Sequence, residues 1–142
     1  MLNKDHPGRL MLQLLEGFVW FDQRLQEQLR LSGMPSVNRT ESMIMLYGSS
    51  GVVRPSELGQ RIGLARQSIN SAIRSLESKG LVRLVVDPSD ARCKIIENTE
   101  QAQPIYAEAK KAILEAERDL AQVLGDDGLE RLRDSLGLML RG

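Results

Sequence analysis

Apolar residues recur at helical spacing over most of the chain, and a few short stretches break that rhythm. From about Pro7 to Leu31, the residues Leu10, Leu14, Phe18, Phe21, Leu25 and Leu29 fall three or four apart, on one face of a long helix. Met11, Leu15, Val19 and Trp20 widen that face beyond what one packing partner needs. The helix is therefore expected to meet both its own domain and something else, and residues 1–6 ahead of it are expected to fray. Leu31-Ser32-Gly33-Met34-Pro35 breaks the pattern. Asn38, with Glu41 three residues on, predicts a capping box that opens a helix through Met43, Ile44, Leu46 and Tyr47 and ends at Gly48.

The next stretch predicts two short helices joined by a tight turn. Pro55 suits a first helical position, where a missing N–H costs nothing. Leu58 and Ile62 give that helix an apolar face, and Gly63 stands where a left-handed residue closes it, with Leu64 at the corner. From Arg66 to Ser78, only Ile69, Ala72, Ile73 and Leu76 form a narrow buried stripe. Opposite them lie Gln67, Ser71, Arg74 and Ser78, with Asn70 and Ser75 alongside. Solvated helix faces favour Glu and Lys; this one offers Gln, Asn, Ser and Arg, whose donors and acceptors suit base edges in a major groove. A plain polar exterior explains the helix equally well until its neighbours are considered.

Those neighbours are strands. After Lys79-Gly80, Leu81 to Val86 is short and β-branched. Asp87-Pro88-Ser89-Asp90 is turn chemistry, and Cys93 to Glu97 returns as the partner strand. Val52-Val53 is expected to add a short third strand. A helix-turn-helix followed by a hairpin is a winged helix, and this wing carries Arg83, Arg92 and Lys94. Beyond it, Glu100 to about Leu124 reads as a helix through Ile105, Ala109, Ala112, Ile113, Ala116, Leu120 and Val123. Gly125-Asp126-Asp127-Gly128 is a break, and Leu129 to Leu140 a last helix with a wide apolar face.

The expected fold is mainly α with a small β-hairpin wing (α+β). Residues 36–99 form the winged helix-turn-helix, and 1–35 with 100–142 form a helical dimerisation region, all in one compact chain. The terminal helices have more apolar face than this core can cover. Leaving such a face in water costs on the order of 25 cal/mol per Å², which pairing two copies of the chain avoids.

The order S-E-L (56–58), L-A-R-Q-S-I (64–69), L-E-S-K-G-L-V (76–82), D-P-S-D-A-R-C-K (87–94) and N-T-E (98–100) resembles the MarR family of winged-helix transcriptional regulators. The strongest pieces are Leu76–Val82 and Asp90–Lys94. The resemblance implies a two-fold homodimer paired through its terminal helices. It implies a repressor of double-stranded DNA relieved by a small, often aromatic, effector, reading a pseudo-palindromic operator. Helix 66–78 would lie in the major groove, and the wing, about 83–96, at the minor groove. The DNA-binding candidates are then Arg66, Gln67, Ser68, Asn70, Ser71, Arg74, Arg83, Arg92 and Lys94, with Asp90 orienting Arg92. Candidate lining for a ligand pocket comes from Phe18, Phe21, Met43 and Tyr47, each of which also reads as plain core. Three positions depart from the family pattern: Arg54 and Ala65 replace the usual Ser or Thr caps, and Asn98 replaces Leu.

Composition adjusts this picture in places. The net charge is zero, yet residues 52–97 hold eight basic and five acidic residues, a net of +3, against −3 elsewhere. Charge gathered on the helix-turn-helix and wing can meet phosphates while the flanks stay neutral or acidic. The sole histidine, His6, stands in the N-terminal stretch, so neither a nucleophile–His site nor a metal site is supported, and no catalytic residue, metal or cofactor is expected. No apolar run reaches the ~20 residues of a membrane span. A single cysteine and no signal-peptide layout fit a cytoplasmic location. Cys93, between Arg92 and Lys94, is read as an incidental small residue rather than a redox sensor. The alternatives are a winged-helix protein-interaction module and a constitutive DNA-binding protein without a ligand. Acidic or apolar residues on the recognition face would favour the former, and Gln67, Asn70, Ser71 and Arg74 speak against it.

Overall fold

The computed structural model describes residues 3–141. The elements are α1 (Arg9–Leu31), α2 (Arg39–Ser49), α3 (Pro55–Ile62), α4 (Arg66–Ser78), β1 (Val82–Asp87), β2 (Asp90–Asn98), a single 3-10 turn (Glu100–Ala102), α5 (Gln103–Leu124) and α6 (Asp126–Arg141). The fold is the expected mainly α winged helix. Of the stretch expected to fray, Met1 and Leu2 lie outside the described residues. Within 3–6, Asn3 closes a turn by accepting the N–H of Asp5 at its side chain and that of His6 at its carbonyl, both at 3.1 Å.

The chain divides into two compact units, residues 29–107 and residues 1–28 with 108–142, the boundaries falling within α1 and α5. The first contains the winged helix. Its core is built by the stripe the sequence marks: Ile69, Ala72, Ile73 and Leu76 of α4 are buried, as are Ile44 of α2, Leu58 of α3 and Leu81, Val82 and Ile96 of the hairpin. Asn38 caps α2 through its side chain, and Glu41 answers to the Asn38 N–H, completing the capping box. Gly63 closes α3 at φ 78°, as expected. Gly80 takes φ 77° after α4, a left-handed conformation that strains any residue with a Cβ, so the turn into the wing calls for glycine.

The hairpin runs β1 against β2, with Val82 opposite Asn98, Arg83 opposite Glu97, Leu84 opposite Ile96 and Val86 opposite Lys94. Its strands are longer at the tip than expected, leaving Pro88-Ser89 as the turn. The third strand does not form, for the sheet has two strands. Val53 contributes a single bond, its carbonyl accepting from the Ile96 N–H at 2.9 Å. Gly51 at φ 99° precedes that segment, and Pro55, which has no N–H, follows it, so no ladder propagates. Thr99 ties the base of the wing, its N–H donating to the Leu81 carbonyl and its hydroxyl to that of Gly80.

The other unit holds most of α1 and α5 and all of α6. The break before α6 is shorter than expected, because Asp126 and Asp127 form its acidic first turn, where carboxylates favour a helix N-terminus; only Gly125 (φ 78°) interrupts. Arg24 meets Asp119 at 2.6 Å and Arg133 meets Glu117 at 2.9 Å. Among the described residues of this unit, the buried apolar side chains are Ala112 and Ala116 alone. Leu10, Met11, Val123, Leu138 and Leu140 are each more than two-thirds exposed. An α-helical unit that buries two alanines and displays its leucines has its apolar surface on the outside.

Candidate nucleic-acid interface

Helix α4 exposes the face its sequence sets aside. Arg66, Gln67, Ser68, Ser71 and Arg74 are exposed and Asn70 is half-buried, while the opposite stripe is packed. The Arg74 guanidinium donates to the Ser71 hydroxyl at 3.2 Å, leaving most of its donors turned outward. Ala65 gives α4 no side-chain cap. Beside that uncapped end, Asn38 and Thr40 from the start of α2 join Ala65, Gln67, Ser68 and Ser71 around one open depression. Asn38 and Thr40 were not among the residues expected near this surface. The capping-box pattern locates their helix, but nothing local shows which surface it flanks.

The wing's three cations differ in their surroundings. Arg83 pairs with Glu97, its cross-strand partner, at 3.2 Å. Arg92 is 90% exposed at its side chain, yet its Nε lies 3.1 Å from Asp90 Oδ1 and its backbone N–H donates to the same oxygen. These contacts lower the pKa of Asp90, the Arg92 guanidinium first and the backbone N–H next. Lys94 makes no ion pair among the described residues and stands opposite Val86, itself 56% exposed. The wing therefore presents one cation held by its own strand, one paired across the hairpin and one open to solvent.

Two ion pairs escape sequence reasoning. Arg54, at the expected cap of α3, makes no cap bond and reaches Asp87 in the wing at 2.6 Å. The Ser89 backbone N–H and hydroxyl, followed by Arg54, hold the Asp87 carboxyl down at about 2. Lys79, at the end of α4, reaches both oxygens of the buried Glu41 at 2.8 Å. Each pairing joins residues more than thirty positions apart, and no local pattern selects the partner. Asn98, the third departure, accepts from the Tyr106 hydroxyl at 3.3 Å, which also donates to the Met45 carbonyl at 3.1 Å. Burial, opposed by that bond, raises the pKa of Tyr106.

Of the ligand-pocket candidates, Phe18 and Phe21 belong to one unit and Met43 and Tyr47 to the other, and all four are half-buried. Phe21 packs edge-on to Trp20 at 5.1 Å, and Arg24 lies over the Trp20 ring at 4.9 Å. Among the described residues, no group of three or more His, Cys, Asp and Glu side chains could hold a metal ion, and no helix is long and apolar enough to cross a membrane.

A packed three-helix core with an exposed polar face on its last helix and a basic hairpin beyond it defines a winged helix-turn-helix, a fold of DNA-binding transcriptional regulators. Residues 43–92 match the model of the MarR family. Solved structures agree along nearly the whole length of the chain. The transcriptional regulator BldR from Sulfolobus solfataricus is 22% identical with a TM-score of 0.70, over 99% of each chain. NadR, solved with 4-hydroxyphenylacetate, is 18% identical with a TM-score of 0.74, over 98% of this chain and 96% of that one. MepR of S. aureus, solved with DNA, is 18% identical with a TM-score of 0.68, over 99% and 98%. Identity at this level establishes a shared fold. The family is one of transcriptional regulators, not of enzymes.

Proposed function

We propose that the chain is a homodimeric, DNA-binding repressor whose α4 reads base edges in the major groove and whose wing meets the adjacent minor groove. The observation that carries this is the division of α4 into a buried apolar stripe and an exposed face of Gln67, Ser68, Ser71 and Arg74, with Asn70 at its margin. Such side chains hydrogen-bond bases. Arg66, Arg83 and Lys94 supply phosphate contacts that set affinity and register. Arg92, held by Asp90, suits a narrow A·T-rich minor groove, where negative potential concentrates. Two-fold pairing is supported by the exposed leucines of α1 and α6. The capture of DNA by MepR in its crystal fits the same reading.

A small aromatic effector is proposed on the strength of the 4-hydroxyphenylacetate bound to NadR. Titrating phenolic acids while following the fluorescence of Trp20, the only tryptophan, tests this; a flat response across the series contradicts it.

Selection of duplexes from a random library by the full chain tests the DNA reading. It should enrich a pseudo-palindrome with half-sites about one helical turn apart. Recovery of unrelated sequences would contradict it.

A further inference from the structure

Helix α3 begins without a side-chain cap, since the guanidinium of Arg54 has no acceptor to offer its N–H groups, and Arg54 is engaged elsewhere. Its Nε and Nη2 both donate to Asp87 Oδ2, at 3.0 and 2.6 Å. The other oxygen of that carboxylate, Oδ1, accepts from the backbone N–H of Ser89 at 2.9 Å and from its hydroxyl at 2.8 Å. One carboxylate thus joins the start of the helix-turn-helix to the last residue of β1 and to the turn at the wing tip. Just past the turn, Asp90 holds the backbone and guanidinium of Arg92 and accepts from the Cys93 thiol at 3.6 Å.

The tip needs such a hold. The regular register is lost between Val86 and Asp87, and a lone two-stranded hairpin is marginal by itself. The Asp87 side chain is 9% exposed against 41% for Arg54, so the bond is partly shielded from water and salt.

We propose that Arg54 is a positioning residue for the wing: through Asp87 it fixes the turn from which Asp90 presents Arg92. This rests on the reading of Arg92 as a groove contact. The brace belongs to this chain's own departure from the usual cap, which gives α3 no cap but ties it to the wing.

Two measurements on the full-length chain test it. The first needs no DNA. Cys93 is the only cysteine and is half-buried in β2, so its alkylation by a maleimide reports how freely the wing opens. Arg54→Ala and Asp87→Ala should each accelerate it about two- to fivefold, as expected for loss of one partly exposed ion pair. The double variant should go no further, and Arg54→Lys should stay near the parent. An unchanged or slower rate in Arg54→Ala overturns the brace.

The second measurement compares affinities for selected duplexes with A·T or G·C flanks. Arg54→Ala should lose part of the flank preference that Arg92→Ala loses, and should add nothing in the Arg92→Ala background. Losses that add overturn the coupling. An Arg92→Ala chain that binds like the parent overturns the reading of the wing as a groove-binding element, and with it this role for Arg54. The alkylation arm distinguishes that result from failure of the brace itself.

Discussion

Glu41, wholly buried at the first turn of α2, is held by Lys79 at the end of α4, the ammonium lying 2.8 Å from both carboxylate oxygens. Lys79 also donates to the Ser36 carbonyl at 2.9 Å, and Glu41 accepts from the Asn38 N–H at 3.0 Å. The recognition helix is thereby anchored at its far end to the helix that flanks its near end.

Breaking this pair should have unequal costs. Lys79 retains 29% of its side-chain exposure and Glu41 none. Lys79→Met strands a buried carboxylate and should cost about 3–5 kcal/mol, whereas Glu41→Gln leaves a partly hydrated ammonium and should cost less, about 1–3 kcal/mol. Urea unfolding midpoints check the order, and equal losses would contradict it.

Acid should weaken the wing through Asp87. Its folded pKa, about 2, lies below the ~3.9 of an unfolded aspartate. The carboxylate therefore contributes stability that is fully present above about pH 4 and lost as the pH falls through about 2. Asp87→Asn should be less stable than the parent at pH 6, and the gap should close between about pH 4 and pH 2. Denaturant titrations across that range check it.

Dimerisation should depend on leucines that a monomer could replace freely. Leu138 and Leu140 are 68% and 78% exposed, so Leu→Glu there would be nearly neutral in a monomer. If these faces pair two copies, the parent should scatter as twice 15.9 kDa and the double Glu variant should lose mass or solubility. A parent that stays monomeric at micromolar concentration contradicts the account.

The two wing cations without a cross-strand partner should separate in their salt behaviour. Lys94→Ala should weaken binding to every duplex alike and reduce the salt slope by about 0.9 for each phosphate no longer neutralised. Arg92→Ala should also blunt preference for A·T flanks. Filter binding at several salt concentrations on both flank types distinguishes them.

Local signals made most of this fold legible. Ile69, Ala72, Ile73 and Leu76 mark the buried stripe of α4 by spacing alone; Asn38 with Glu41, Gly63 and Gly80 mark helix ends by their chemistry. Choices that depend on distant partners were not legible. Arg54 reads as a poor cap until Asp87 is beside it, and Glu41 reads as half of a capping box until Lys79 arrives. Val53 has strand composition but gains only one bond. The candidate site divides the same way: which α4 residues face outward follows from periodicity, whereas the pairing of Arg83 with Glu97 depends on the hairpin register.

The central claim is that the exposed face of α4 reads bases. Its most direct test measures the affinity of Gln67→Ala, Asn70→Ala, Ser71→Ala and Arg74→Ala chains for the selected duplex and for every single-base variant of one half-site. Each substitution that removes a base-reading side chain should erase discrimination at particular base pairs, about 1–3 kcal/mol for a good bidentate pairing, with the unfolding midpoint unchanged. If all four variants keep the parent's full pattern of preference, α4 does not read the operator and the account is wrong.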